Sequence, residues 1–242
     1  YLAWAARRHL GPERALCLTA VSPSLAPEER EDCAALAVEW GLRWQAVETA
    51  ELANPAYSAN DGQRCYHCKA ELLEVAAPVA AAEGATVALG VNLDDLGDHR
   101  PGQQAATERG AAFPLVTAGF TKADVRAASR QAGLRTWDKP AAACLASRIP
   151  YGTPVTLGVL DSVARAESGL RALGFRELRV RHYGELARLE LGPDELARAV
   201  AERDAVVAAV KAAGYDYVVL DLEGLRSGNL NRSLASRPGA GT

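Results

Sequence analysis

A parallel, doubly wound α/β sheet with a smaller C-terminal α+β domain is the fold class this sequence predicts. Three observations predict it. Short apolar runs alternate with helix-length segments up to about residue 150, the signature of a parallel sheet with crossover helices. After "ASRIPYGTP" the order changes to helix, strand, strand, helix, strand. The chain has 242 residues, 49% hydrophobic and 24% charged, enough for one large domain and a small one. We expect a first domain over 1–150, a second over 151–232 and a frayed tail over 233–242.

The elements follow in order. "YLAWAARRHLG" reads as a helix stopped by Gly11, with Leu2, Ala5, Ala6 and Leu10 as its buried positions. "ALCLTAVSP" is an apolar run closed by turn residues, hence a buried strand. "APEEREDCAALAVEWG" has Pro27 near its start, acids in its first turn and Gly41 at its end, so it reads as a helix. "RWQAVET" is the next strand, and the polar stretch 53–64 a loop. A helical pattern runs from Cys68 to about Glu83, and "TVALGV" is another buried strand. "TKADVRAASRQAGL" is a helix whose N-cap is Thr121, with Asp124 three residues on. In the second part a helix over about 158–173 precedes two strands that turn at His182 to Glu185. A long helix over about 193–213 and the strand "YDYVVLDL" complete it.

Charge and composition narrow the function. The net charge is −3, the pI is about 5.9, and no run of Lys or Arg appears, which argues against a nucleic-acid partner. No apolar stretch reaches the roughly 18 residues that span a bilayer, so we expect no membrane association. Five cysteines in this length are not a disulfide scaffold, and with no secretory signal we expect a cytoplasmic protein. The chain has no Met, even at position 1, and opens inside a helical pattern. We expect a fragment that lacks whatever precedes that helix.

Ligands of open parallel sheets bind beyond the carboxyl ends of the strands, and three polar segments qualify. The first holds Cys65 and Cys68 in "RCYHCK". A pair at this spacing is half of a zinc site, a redox pair at a helix start, or part of an iron–sulfur site. Cys17 and Cys33 read as small core residues. Cys144 lies in "KPAAACLASRIPYG" beside Ser147 and Arg148, where a guanidinium can hold an anion. Three thiolates from two loops suit a four-iron, four-sulfur cluster with one open iron; a chance pair plus a lone thiol is the equal alternative. The second segment, "GVNLDDLGDHRPG", holds Asp94, Asp95, Asp98 and Arg100: either a magnesium and phosphate site or a solvated acidic turn. The third is "RVRHYG". Arg179 and Arg181 alternate on one strand face as a phosphate clamp, or form ordinary salt bridges with Glu167, Glu190 or Glu223.

"RCYHCK", "GVNLDDLGDHRPG", "KPAAACLASRIPYG" and "DLEGLRSGN" together resemble the LarE proteins, PP-loop ATP-dependent sulfur transferases of the HUP-like α/β class. The resemblance is densest over about 60–152. It implies a PP-loop-type nucleotide-binding domain over 1–150 and a substrate and sulfur-transfer domain over 151–232. It implies adenylation of the carboxylate of a pyridinium bis-carboxylic acid mononucleotide by ATP and Mg, then attack of sulfur to give a thiocarboxylate. The product leads to the nickel-pincer nucleotide of lactate racemase. Cys144 matches a cysteine that gives up its own sulfur, or that shares a [4Fe-4S] cluster with Cys65 and Cys68. Ser147, Arg148, Arg179 and Arg181 match the substrate-phosphate site, and Asp94, Asp95, Asp98 and Arg100 the nucleotide and magnesium side. Family members commonly assemble as homo-oligomers. PP-loop enzymes open with a strand and an SGGxDS-like loop that this sequence lacks, which leaves a truncated coding sequence or a chain unable to adenylate. The alternatives are a tRNA-thiolating PP-loop enzyme and an inactive metal-binding homologue.

Overall fold

The computed structural model describes residues 1–97, 101–140 and 142–226. They form two compact units. The first comprises Tyr1–Ser22, Pro27–Tyr57 and Gln63–Ala142; the second comprises Pro23–Ala26, Ser58–Gly62 and the chain from Ala143 onward. The division after Ala142 assigns residues 143–150, expected in the first domain, to the second unit. The reason is packing: Leu145, Ala146 and Ile149 are buried, and Arg148 bonds to Glu167 within that unit. The expected tail over 233–242 lies outside the described residues.

In the first unit, α1 (Leu2–Leu10) ends at Gly11, whose φ of 91° explains the glycine. None of its residues is buried, contrary to the expected core face at Leu2, Ala5, Ala6 and Leu10. Strand β1 (Leu16–Val21) leads to α2 (Pro27–Glu39) and β2 (Arg43–Glu48). The two strands pair in parallel from Leu16–Arg43 to Val21–Glu48, as a β-α-β unit requires. Only Val21 of β1 is buried, because β2 is its sole described neighbour. The single turn α3 (Pro55–Ser58) precedes α4 (Arg64–Ala82), which starts one turn before the expected position. Next come α5 (Pro101–Glu108), the turn α6 (Pro114–Thr117) and α7 (Lys122–Gln131). The Thr121 and Asp124 capping box opens α7 as expected.

The expected buried strand over Thr86–Val91 is reduced to one parallel bridge, Ala88 with Ala112. Leu89 N donates to Ala112 O and Ala112 N to Val87 O, both at 2.9 Å. Pro114 then starts α6, and proline has no N–H with which to extend the ladder. The described strands of this unit are therefore parallel but few.

The second unit is built on α8 (Leu157–Ala172), β3 (Leu178–Tyr183) and β4 (Leu186–Leu191). Strands β3 and β4 form a hairpin through Gly184 (φ 65°) and Glu185. The expected long helix is split into α9 (Leu196–Ala201) and α10 (Arg203–Ala212), and β5 (Tyr217–Leu220) closes the sheet in parallel with β4. The two halves do different work. Arg198 of α9 donates to Leu173 O at the end of α8, while α10 lies against α8, with a Cβ on Gly169 only 3.3 Å from Ala209 Cβ. The core runs through Leu170, Phe175, Val180, Leu189, Leu191 and Val210, all at most 1% exposed. It packs the helices on one face of the sheet. The other face carries Arg179, Arg181, Arg188 and Glu190.

Candidate functional site

In the second unit, Cys144 is exposed at the head of a short helical turn, Leu145–Arg148. The turn is pinned at several points. Leu145 N donates to Ser24 O at 2.8 Å, and the Arg181 guanidinium donates to Ser147 O at 2.7 Å. Asn60 Nδ2 donates to Pro150 O at 2.9 Å and Thr153 O at 2.7 Å. Asn60 is fully buried and has φ 57°, a left-handed conformation that Asn tolerates better than most residues. An exposed thiol thus sits on a backbone held by three residues distant in the chain.

Arg148, expected at a substrate anion, faces inward and is 5% exposed. It grips the fully buried Glu167 on α8 with two bonds, Nε to Oε1 at 2.8 Å and Nη2 to Oε2 at 3.1 Å. Its Nη1 donates to Ala143 O at 2.8 Å and to Ser147 Oγ at 3.0 Å. Glu167 also accepts from Arg171 and from Val180 N of β3. This carboxylate therefore ties the Cys144 turn, α8 and β3 together. Such a buried pair is costly to break, because either charge alone would be stranded away from water.

The two strand arginines behave differently. Arg181 is 2% exposed and pairs with the fully buried Glu190 at 2.7 Å, yet its Nε has no hydrogen-bond partner. Arg188 takes the other oxygen of Glu190 at 2.8 Å. Arg179 lies opposite Glu190 in the strand register; it is half-buried, and among the described residues its side chain makes no hydrogen bond or ion pair. Burial first, then the guanidiniums of Arg181 and Arg148, hold it below the usual arginine value. Among the described residues Arg148 and Arg171 pair with Glu167, Arg181 and Arg188 pair with Glu190, and Arg188 also reaches Asp221, while Arg179 stands beside them. A cluster of guanidiniums in the unit that carries the Cys144 turn suits a phosphate dianion.

Cys65 and Cys68 belong to the first unit. Both lie in the opening turns of α4, three residues apart; a helix was expected from Cys68, and it begins early enough to include Cys65 as well. Residues at this spacing share one helix face. Cys65 is exposed and Cys68 half-buried, and Arg64 Nη2 donates to Cys65 Sγ at 4.0 Å. Tyr66, between them, donates its hydroxyl to Glu108 of α5 at 2.6 Å. Gly102 of α5 comes so close that an added Cβ would stand 3.0 Å from Cys65 O. Within either unit, no three described His, Cys, Asp or Glu residues gather as a metal site.

The acidic loop is used structurally where it is described. Asp94 Oδ2 accepts Lys122 N at 2.7 Å and so caps α7 from 28 residues away. Asp95 Oδ2 accepts Asn92 N at 3.1 Å, and Asn92 Oδ1 accepts Asp94 N. Asp98 and Arg100 lie outside the described residues.

Sequence reasoning missed Asn60 and Arg188. Asn60 carries no pattern around it, because its partners stand about 90 residues on. Arg188 had a signal: it alternates with Glu190 on β4, facing the arginine pair.

No family model matches the chain. It is 48% identical over 225 residues to an uncharacterized protein of Synechocystis, covering 92% of this chain and 84% of the relative. It is 34% identical over 226 residues to the pyridinium-3,5-bisthiocarboxylic acid mononucleotide synthase of Lactiplantibacillus plantarum, covering 93% of this chain and 82% of that enzyme. An uncharacterized protein of Methanocaldococcus jannaschii is 27% identical over 169 residues, 69% of this chain and 66% of the relative. No described helix is long and apolar enough to cross a membrane.

Proposed function

The chain belongs to the LarE family of pyridinium-3,5-bisthiocarboxylic acid mononucleotide synthases, and from that premise we propose that it is a sulfur transferase acting on a phosphorylated pyridinium carboxylate. In this reading ATP activates the substrate carboxylate as an acyl adenylate, and sulfur displaces AMP to leave a thiocarboxylate. A carboxylate is a poor electrophile, and adenylation supplies the leaving group. The reaction belongs to a protein with the family's doubly wound nucleotide-binding domain, and we take this chain to act as a homo-oligomer.

The observation that carries the proposal is Arg179. A half-buried guanidinium with no ion pair among the described residues, flanked by Arg181 whose Nε is unpartnered among them, is costly unless an anion completes it. In this reading Arg179 and Arg181 take the substrate phosphate, and Ser147 lines the same end. Arg148 acts through the backbone: held by Glu167, it orients the turn so that Cys144 faces outward.

Cys144 is the sulfur donor in the simpler scheme: its thiolate would displace AMP to form a thioester, and loss of its Cα proton would then break its Cβ–Sγ bond, leaving dehydroalanine on the chain and the thiocarboxylate on the substrate. In the other, Cys65, Cys68 and Cys144 hold an iron–sulfur cluster. The pair fits two of its ligands, being accessible and on one helix face. Such a cluster would supply a terminal sulfide in place of the cysteine sulfur. Asp94 and Asp95 each give an oxygen to a backbone N–H, which occupies part of each carboxylate that a magnesium ion would need.

The test is kinetic. Arg179→Ala should raise KM for the mononucleotide about tenfold or more, as loss of a charge-assisted phosphate contact implies. The dephosphorylated nucleoside should be turned over alike by both proteins. An unchanged KM for the mononucleotide would overturn the assignment. After turnover, mass spectrometry should find Cys144 lighter by one H₂S in the sacrificial scheme.

A further inference from the structure

We propose that Cys65 and Cys68 form a reversible intrahelical disulfide, closed by a low-molecular-weight disulfide and opened by a thiol. The bond itself does not depend on the function proposed above.

Four observations converge on it. The two sulfurs are three residues apart on α4, where Cβ atoms stand about 5–6 Å apart. Bridged cysteines need about 3.5–4.5 Å between Cβ atoms, so closure asks for a small adjustment rather than a rearrangement. The pair sits at the N-terminal end of α4, whose opening is bonded by Tyr66 N to Gln63 O at 2.8 Å, so only the first turns of the helix need to adjust. Accessibility is graded in the right order, with Cys65 exposed and Cys68 half-buried, so a bulky reagent meets Cys65 first. Finally, the backbone between them is anchored on α5 by the Tyr66–Glu108 bond and the close Gly102 contact. The thiols cannot drift apart while the first one waits in a mixed disulfide.

The step balances as two exchanges. The Cys65 thiolate attacks one sulfur of oxidised glutathione; the glutathione S–S bond breaks and one reduced glutathione leaves. The Cys68 thiolate then attacks the Cys65 sulfur, forming the new S–S bond and releasing the second glutathione. The two cysteines lose two electrons and two protons, and the two glutathione thiols gain them. A bond that pulls a helical turn together is strained, and strained, exposed disulfides are the readily reduced ones. That makes it a switch rather than a staple. Closed, it withdraws both sulfurs from any metal and leaves Cys144 as the accessible thiol of the other unit.

Trypsin reads the result directly. It cuts after Arg64 and after Lys69, so both thiols leave in one peptide, Cys65–Lys69. Native, reduced protein is treated with excess oxidised glutathione, blocked with an alkylating agent and digested. The expected peptide is unalkylated and lighter by two hydrogens, and dithiothreitol before blocking restores both alkylation sites. In Cys68→Ser, Cys65 should accumulate as the glutathione adduct, because the second exchange has no attacker. A peptide from the wild-type protein that is doubly alkylated, or that carries glutathione on both residues, overturns the proposal. Neither readout uses sulfur-transfer activity, so a failure here is distinct from a failure of the enzyme assignment.

Discussion

The two units mount their thiols in opposite ways. In the first, Cys65 and Cys68 are placed by a regular helix, and their relation is set by its repeat. In the second, Cys144 stands on an irregular turn whose geometry belongs to other residues: Ser24, Asn60, Glu167 and Arg181. A helical mount needs no distant partner, whereas a pinned turn depends on buried side chains far along the chain. The comparison teaches where each site is fragile. The pair should tolerate loss of its neighbours, and the Cys144 turn should not.

The largest expected effect is chemical. Cys144→Ala should reduce thiocarboxylate formation to background, while Cys65→Ala with Cys68→Ala should do so only if a cluster is the sulfur source; product analysis by mass spectrometry separates the two. The next effect is on stability. Glu167→Ala strands Arg148 and should cost about 3–5 kcal/mol in urea unfolding, the usual penalty for breaking a buried pair. It should also change the rate at which Cys144 is alkylated and leave the alkylation of Cys65 unchanged. Equal changes at both thiols would erase the contrast between the mounts. Asn60→Gly keeps the left-handed backbone but removes the bonds to Pro150 and Thr153, and should cost about 1–3 kcal/mol; Asn60→Ala should cost more, because it adds backbone strain.

The smallest effect is a pH dependence confined to the second unit. Burial pulls His182 below its ordinary value of 6.5, and its Nδ1 lies 3.2 Å from the Tyr215 hydroxyl in the core. The unfolded chain therefore takes up the proton first as pH falls. Stability should be full above about pH 6.5 and decline below it, a slope that His182→Asn should flatten in thermal melts.

Legibility followed sequence distance. The alternation that set Arg179 and Arg181 on one strand face was readable, as was the capping box at Thr121. The cysteine spacing was readable too, although the helix begins early enough to include Cys65. The division of labour between Arg148 and Arg179 was not. Both sit in basic, polar motifs, and only the folded chain shows that Glu167 takes one while Arg181 and Arg188 hold the two oxygens of Glu190 opposite the other. The break between α9 and α10 was hidden likewise, because apolar periodicity continues across Glu202.

By itself, then, the amino-acid order determined what local physics controls: which stretches coil or extend, which side chains share a face, and which family the motifs join. Tertiary structure alone decided which charges are paired with a carboxylate and which stand beside other cations. That depends on pairings between residues far apart in the chain, made where burial removes water and leaves each charge only the partner that packing brings to it.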